Sequence, residues 1–188
     1  MTAAETRMDH AEDVVSFLKA QHEEIKARFQ QVLTLSGDQR QSAFDDLRRL
    51  LAVHETAEEE VVHPRAKKEI ADGESVVQAR LNEENEAKQM LAALEKLDVN
   101  SAEFEQKFEQ FRQDVITHAE AEEQQEFLQL KAELDPDQLQ RMRNAVKLAE
   151  STAPTRPHPG VESAGANMLA GPFASMLDRA RDAITGKN

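Results

Sequence analysis

Apolar residues return at helical spacing in four long stretches, and every stretch carries a histidine or glutamate on its apolar stripe. The first, residues 11–35, sets Val14, Leu18, Ile25, Phe29 and Val32 along one face. Ser36-Gly37-Asp38 breaks it, and Asp38 is placed to cap the second helix. That second stretch runs to residue 70 with Phe44, Leu47, Leu51 and Val61. Pro64 inside it predicts a bend, because the ring removes a helical N–H. After Ala71-Asp72-Gly73, a third helix is predicted to residue 97, with Leu81, Leu91 and Leu94 inward. Asn100 and Glu103 have the spacing of a capping box for the fourth, which continues to residue 134 through Phe104, Phe108, Phe111 and Val115. Such short connections make neighbouring helices antiparallel. Residues 11–134 are therefore expected to form an all-α, up-down-up-down four-helix bundle.

A C-terminal helical extension comes next. Asp135 and Pro136 have the residue types of an N-cap and first helical position, which predicts an additional helix over 135–150. Residues 151–188 read as a proline-containing linker and a short amphipathic tail helix with Leu169, Phe173, Met176, Leu177 and Ile184 on its stripe. That stripe suits docking on the bundle or on a partner subunit, as in a homodimer. Such docking is expected in preference to contact with a membrane surface.

Composition narrows the chemistry. Cysteine is absent, which excludes disulfides, thiolate metal sites and thiol catalysis. The net charge of −13 disfavours DNA, RNA and anionic lipid, all of which are bound through positive patches. Residues 1–13 lack the apolar segment of a signal peptide. No apolar run approaches the roughly 20 residues that span a membrane, so a cytoplasmic protein is expected.

The first two helices resemble the second two. His54-Glu55-Thr56-Ala57-Glu58-Glu59 matches His118-Ala119-Glu120-Ala121-Glu122-Glu123, both reading H-x-x-A-E-E, and the segment from His22 aligns with that from Glu84. The pattern is that of a duplicated helical hairpin with pseudo-two-fold symmetry. On a helix, residues four apart share a face, so His54 with Glu58, and His118 with Glu122, point one way. His22, lying between Leu18 and Ile25, and Glu84, between Leu81 and Leu91, join them on inward stripes. Three imidazoles and three carboxylates at one depth of a core are unfavourable unless cations neutralise them. The expected metal ligands are His22, His54, Glu58, Glu84, His118 and Glu122, with no catalytic residue distinct from them. His10 and His158 fall outside the bundle helices. His63 is nine residues beyond His54, about 180° around at ~100° per residue, and is expected to face away.

These residues resemble the hemerythrin-like, or HHE cation-binding, family over residues 13–134. Its pattern is a histidine on the first helix, H-x-x-x-E on the second, a histidine on the third and H-x-x-x-E on the fourth. His22, His54/Glu58 and His118/Glu122 match in order. The family's third-helix E-H stands here as Glu83-Glu84, a carboxylate in place of an imidazole, with Asn85 the other residue at that register. The resemblance implies two non-haem iron ions, oxo- or hydroxo-bridged, and reaction with O₂, hydrogen peroxide or NO under oxidative stress. Peroxidase- or catalase-like turnover, or oxidase activity, is one form of that role; a non-enzymatic oxygen- or iron-binding or sensing protein is the other. A mixed nitrogen and oxygen donor set without sulfur itself suits iron or manganese better than zinc, calcium or magnesium. If Glu58 and Glu122 bridge, about three or four of roughly twelve coordination positions stay open for small ligands. Glu84 in place of a neutral imidazole should stabilise the ferric state.

Overall fold

The computed structural model describes residues 11–153 and 155, which contain helices and no strand. The first rod, α1, is Val14–Thr34. The second is one continuous helical run: α2 (Gly37–Ala57), a π-helical segment (Glu58–Val62) and α3 (His63–Glu69). The third, α4, is Gly73–Leu94. The fourth repeats the second: α5 (Ala102–Ala121), a π-helical segment (Glu122–Phe127) and α6 (Leu128–Glu133). Then comes α7, Pro136–Thr152. The four rods form the expected all-α bundle, with α7 packed along α1 and α2. The tail stripe from Leu169 onward, with His10 and His158, lies outside the described residues.

Local chemistry sets the ends. Asp13 caps α1 by accepting from the Ser16 backbone N–H at 2.8 Å. Asp135 and Gln138 form a reciprocal capping box on α7, with Pro136 at its first position, as the sequence suggests. Two expected caps are corrected. Asp38 lies inside the first turn of α2, whose N-cap is Ser36. Ser101, not Asn100, caps α5, accepting from the Phe104 N–H at 3.1 Å. Asn100 instead accepts from the Gly37 N–H at 2.8 Å and so ties the two loops at that end of the bundle together. At the opposite end, glycine is obligatory at 73: a Cβ there would stand 2.6 Å from the Ala66 carbonyl oxygen.

Two apolar clusters fill the core. One is rich in phenylalanine, with Phe29, Phe44, Phe104, Phe108 and Phe111 in mutual ring contact, and it includes Ile25, Leu51, Leu91 and Val115. The other holds Val14, Leu18, Ala57, Val62, Val77 and Phe127 and is completed by Leu139, Met142 and Val146 of α7. Along every rod the change from one cluster to the other falls at the expected histidine and glutamate ligands: between Leu18 and Ile25, Leu51 and Ala57, Val77 and Leu91, and Val115 and Phe127. A polar layer thus crosses the bundle between two apolar blocks.

Candidate metal centre

All six expected residues lie in that layer and are buried. His22, His54, Glu58 and Glu122 bring one ligand atom each to within 4.8 Å of one another; so do Glu55, Glu84 and His118, and so do His63, Glu84 and Glu122. Glu84 falls in two of these groups, and Glu122 joins the first to the third. Donors from all four rods therefore converge within the layer.

Three further residues belong to the layer and are not on the stripes read from sequence. His63 is buried, a correction to its expected outward position. Both H-x-x-A-E-E segments run into a π-helical turn beginning at Glu58 and Glu122. A π turn takes about one residue more than an α turn, so the stripe beyond it is re-phased by roughly a quarter turn. His63 and its repeat equivalent Phe127 both swing inward as a result. Extending the repeat alignment to residue 127, an apolar position, was the signal that could have placed His63. Glu126 is fully buried for the same reason, matching Val62 in the repeat. Glu55 is the third; its counterpart is Ala119, and neither periodicity nor the repeat marks it.

The imidazoles share one arrangement. His22 donates from Nδ1 to Glu123 at 3.0 Å, and His118 from Nδ1 to Glu83 at 2.9 Å. His54 Nδ1 donates to Gln21 Oε1 at 3.0 Å, while the Gln21 amide donates to Glu150 of α7 at 2.5 Å, which fixes its orientation. Each Nε2 then faces the layer: His22 and His118 stand 3.4 Å from Glu122, and His54 stands 3.1 Å from Glu58. Metal-binding histidines are held in this way, with the second ring nitrogen pinned by an outer acceptor.

Electrostatics in the layer are poorly balanced by the protein alone. Burial, reinforced by the His22 charge, pushes the His54 imidazole down to about 3. Burial, with Glu84 beside it, pushes the Glu55 carboxyl up to about 7. Burial and then Glu122 drive Glu58 well above the carboxylate range. Burial opposes ionisation of Glu122 as well, but His118 and His22 hold its carboxyl well below that range. Glu123, hydrogen-bonded to His22, falls to about 2.

The donor atoms fit divalent or trivalent cations. His22 Nε2, His118 Nε2, both oxygens of Glu58 and of Glu122, and one oxygen each of Glu55 and Glu84 are buried without a hydrogen-bond partner. A desolvated carboxylate with no partner costs several kcal/mol, so orphans gathered in this layer mark where positive charge belongs. Beside the rings of His22, His54 and His118 is a cavity of about 10 Å³, walled by Ile25, Leu51, Val115 and Ala119. A second, of about 230 Å³, reaches Glu55 and His118 past Glu83, Glu86 and Asp114.

Comparison with known proteins agrees with this chemistry. The chain is 24% identical over 140 residues to a DNA nickase from Nostoc sp. (strain PCC 7120), covering 74% of this chain but 39% of that protein. It therefore spans about two fifths of the relative's length. No solved structure matches. The family model described as hemerythrin HHE cation binding domain matches residues 13–130. With the bundle and the buried histidine–glutamate layer, that match makes the chain a member of the hemerythrin HHE cation-binding family.

Proposed function

We propose that the layer holds two iron ions and that the protein reacts with O₂, hydrogen peroxide or NO. The observation carrying this is the pairing of orphaned inward nitrogen and oxygen donors with a very small apolar cavity. Nitrogen and oxygen donors without sulfur suit iron. About 10 Å³ beside the imidazoles is roughly the room for one water-sized molecule, which suits a diatomic or a peroxide at that face. When bound, the iron pair supplies open coordination positions and redox electrons. The chain's residues fix the ligand rings, exclude bulk water through Ile25, Leu51 and Val115, and offer an acidic approach past Glu86 and Asp114 that attracts cations.

Protein loaded with ferrous iron under nitrogen should contain close to two irons per chain. On exposure to air or peroxide it should develop the near-ultraviolet absorption of a bridged ferric pair. Zinc in preference to iron, or no change on exposure, would remove the proposal. A second reading, a non-enzymatic sensor or store, draws on the Glu150–Gln21–His54 chain, which couples α7 to the site. Stoichiometric oxidation without turnover of added peroxide would favour it. The relative's DNA substrate is not carried over to this chain, whose net charge of −13 disfavours binding a polyanion.

A further inference from the structure

His63 has no place in the family pattern, yet it is built into the layer like the other three imidazoles. Its Nδ1 donates to Glu126 at 3.0 Å, and its Nε2 faces inward, 2.5 Å from Glu84. His22, His54 and His118 show the same division between an outer acceptor and an inner face. The repeat explains why a histidine is here. His22 aligns with Glu84, and Phe127 aligns with His63. In one half, His22 stacks on Phe127 with ring centroids 5.7 Å apart; in the other, Glu84 lies against His63. The ring missing from α4 has reappeared across the contact, on the turn that re-phases the second rod.

We propose that His63 is a metal ligand through Nε2, the fourth imidazole of the centre, serving the ion that Glu55, Glu84 and His118 surround. Each ion then has two imidazoles: His22 and His54 for one, His118 and His63 for the other. Glu126 takes the outer position that Glu123, Gln21 and Glu83 take for the other rings. The two ions then differ in donor number. The ion at His63 has up to five protein donors with Glu122 included, against four for its neighbour, so small ligands bind at the His22–His54 ion.

The assignment rests on the two-ion reading proposed for the layer, and the test separates the two. The whole 188-residue chain is loaded with Co²⁺, and proton spectra are recorded in water. Each imidazole bound through Nε2, with its Nδ1–H held by an outer acceptor, gives one strongly shifted exchangeable signal. Two Co²⁺ per chain with four such signals is the expected result. His63→Phe, which copies the repeat equivalent, should remove one signal and weaken the second Co²⁺ by at least about 10-fold. His63→Gln should do the same if the phenylalanine variant does not fold. Two Co²⁺ with three signals in the unmodified protein would overturn the assignment and leave His63 as a hydrogen-bond partner of Glu84. Fewer than two Co²⁺ would instead overturn the two-ion reading.

Discussion

The two hairpins share their rods, their depth of polar layer and their π turns, yet they fill the same slots differently. Around His22 the amino-terminal half has an imidazole backed by the Phe127 ring; the carboxy-terminal half has Glu84 backed by His63. In both cases the backing residue comes from the other hairpin. The duplication preserves where an inward side chain stands and leaves its type free, because the cluster needs a certain set of donors and not a given donor at each slot. Exchange across one contact keeps the imidazoles inside the layer.

The largest break in this comparison should come from Glu122, which, like Glu84, is common to two of the three donor groups and alone joins the His22–His54 group to another. Glu122→Ala should drop iron from about two per chain to well below one, measured by elemental analysis. His54→Ala, serving one group, should weaken one ion by about 10–100-fold and leave the other. Equal loss from both variants would show that the ions bind only as a pair.

Next in size is the effect of pH on protein stripped of metal. Glu55, near 7, and Glu58 and Glu84, raised by burial, hold protons in the folded state that they release when unfolded. His63 and His118 are also raised: burial opposes it, but Glu84 with Glu126, and Glu122, prevail. A group raised on folding stabilises below its unfolded value and loses that contribution as pH rises through the folded one. The melting temperature of metal-free protein should therefore fall between about pH 6 and pH 9. His54 has the opposite sign, and its effect lies lower, between about 3 and the ordinary histidine value. Metal should abolish the alkaline loss, since the bound carboxylates are already ionised. A flat alkaline profile for stripped protein would mean that these groups are not buried together.

The comparison can be sharpened by copying one half into the other. His63→Phe leaves Glu84 and Glu126 buried without their partner and should cost about 3–5 kcal/mol in metal-free protein. Adding Glu84→His rebuilds the His22–Phe127 pattern and should recover much of it, so urea melts of the four proteins should show strong coupling. The double variant loses a negative charge beside the ions and should hold a higher redox potential. Additive effects would separate the two positions. The smallest effect is expected from the tail: removing residues 151–188 keeps Glu150 and every candidate ligand, and two irons should remain. Loss of iron would show that the site extends past α7.

The rods, their order and the six stripe residues were legible because burial imposes a period on apolar residues that polar ligands at the same depth must share. His63 and Glu126 were not, because a π turn changes that period without any residue type announcing it. Glu55 follows His54 directly and falls off every stripe; only the approach of Glu84 and His118 brings it in. Asn100 departs from its expected role for a different reason. Asx and serine caps share a local signature, and a contact with distant Gly37 decided between them.

The polar layer also divides the fold. Its two apolar blocks are joined by the rods and by a layer in which carboxylates stand orphaned unless ions sit between them, so metal strengthens the tie between the blocks. Amide exchange in stripped protein should accordingly show two protection classes, with the five-ring phenylalanine block slower than the block completed by α7. Metal should merge them into one cooperative unit. The ions would then serve as the keystone of folding as well as the seat of chemistry, and iron supply would set how long the chain survives proteolysis.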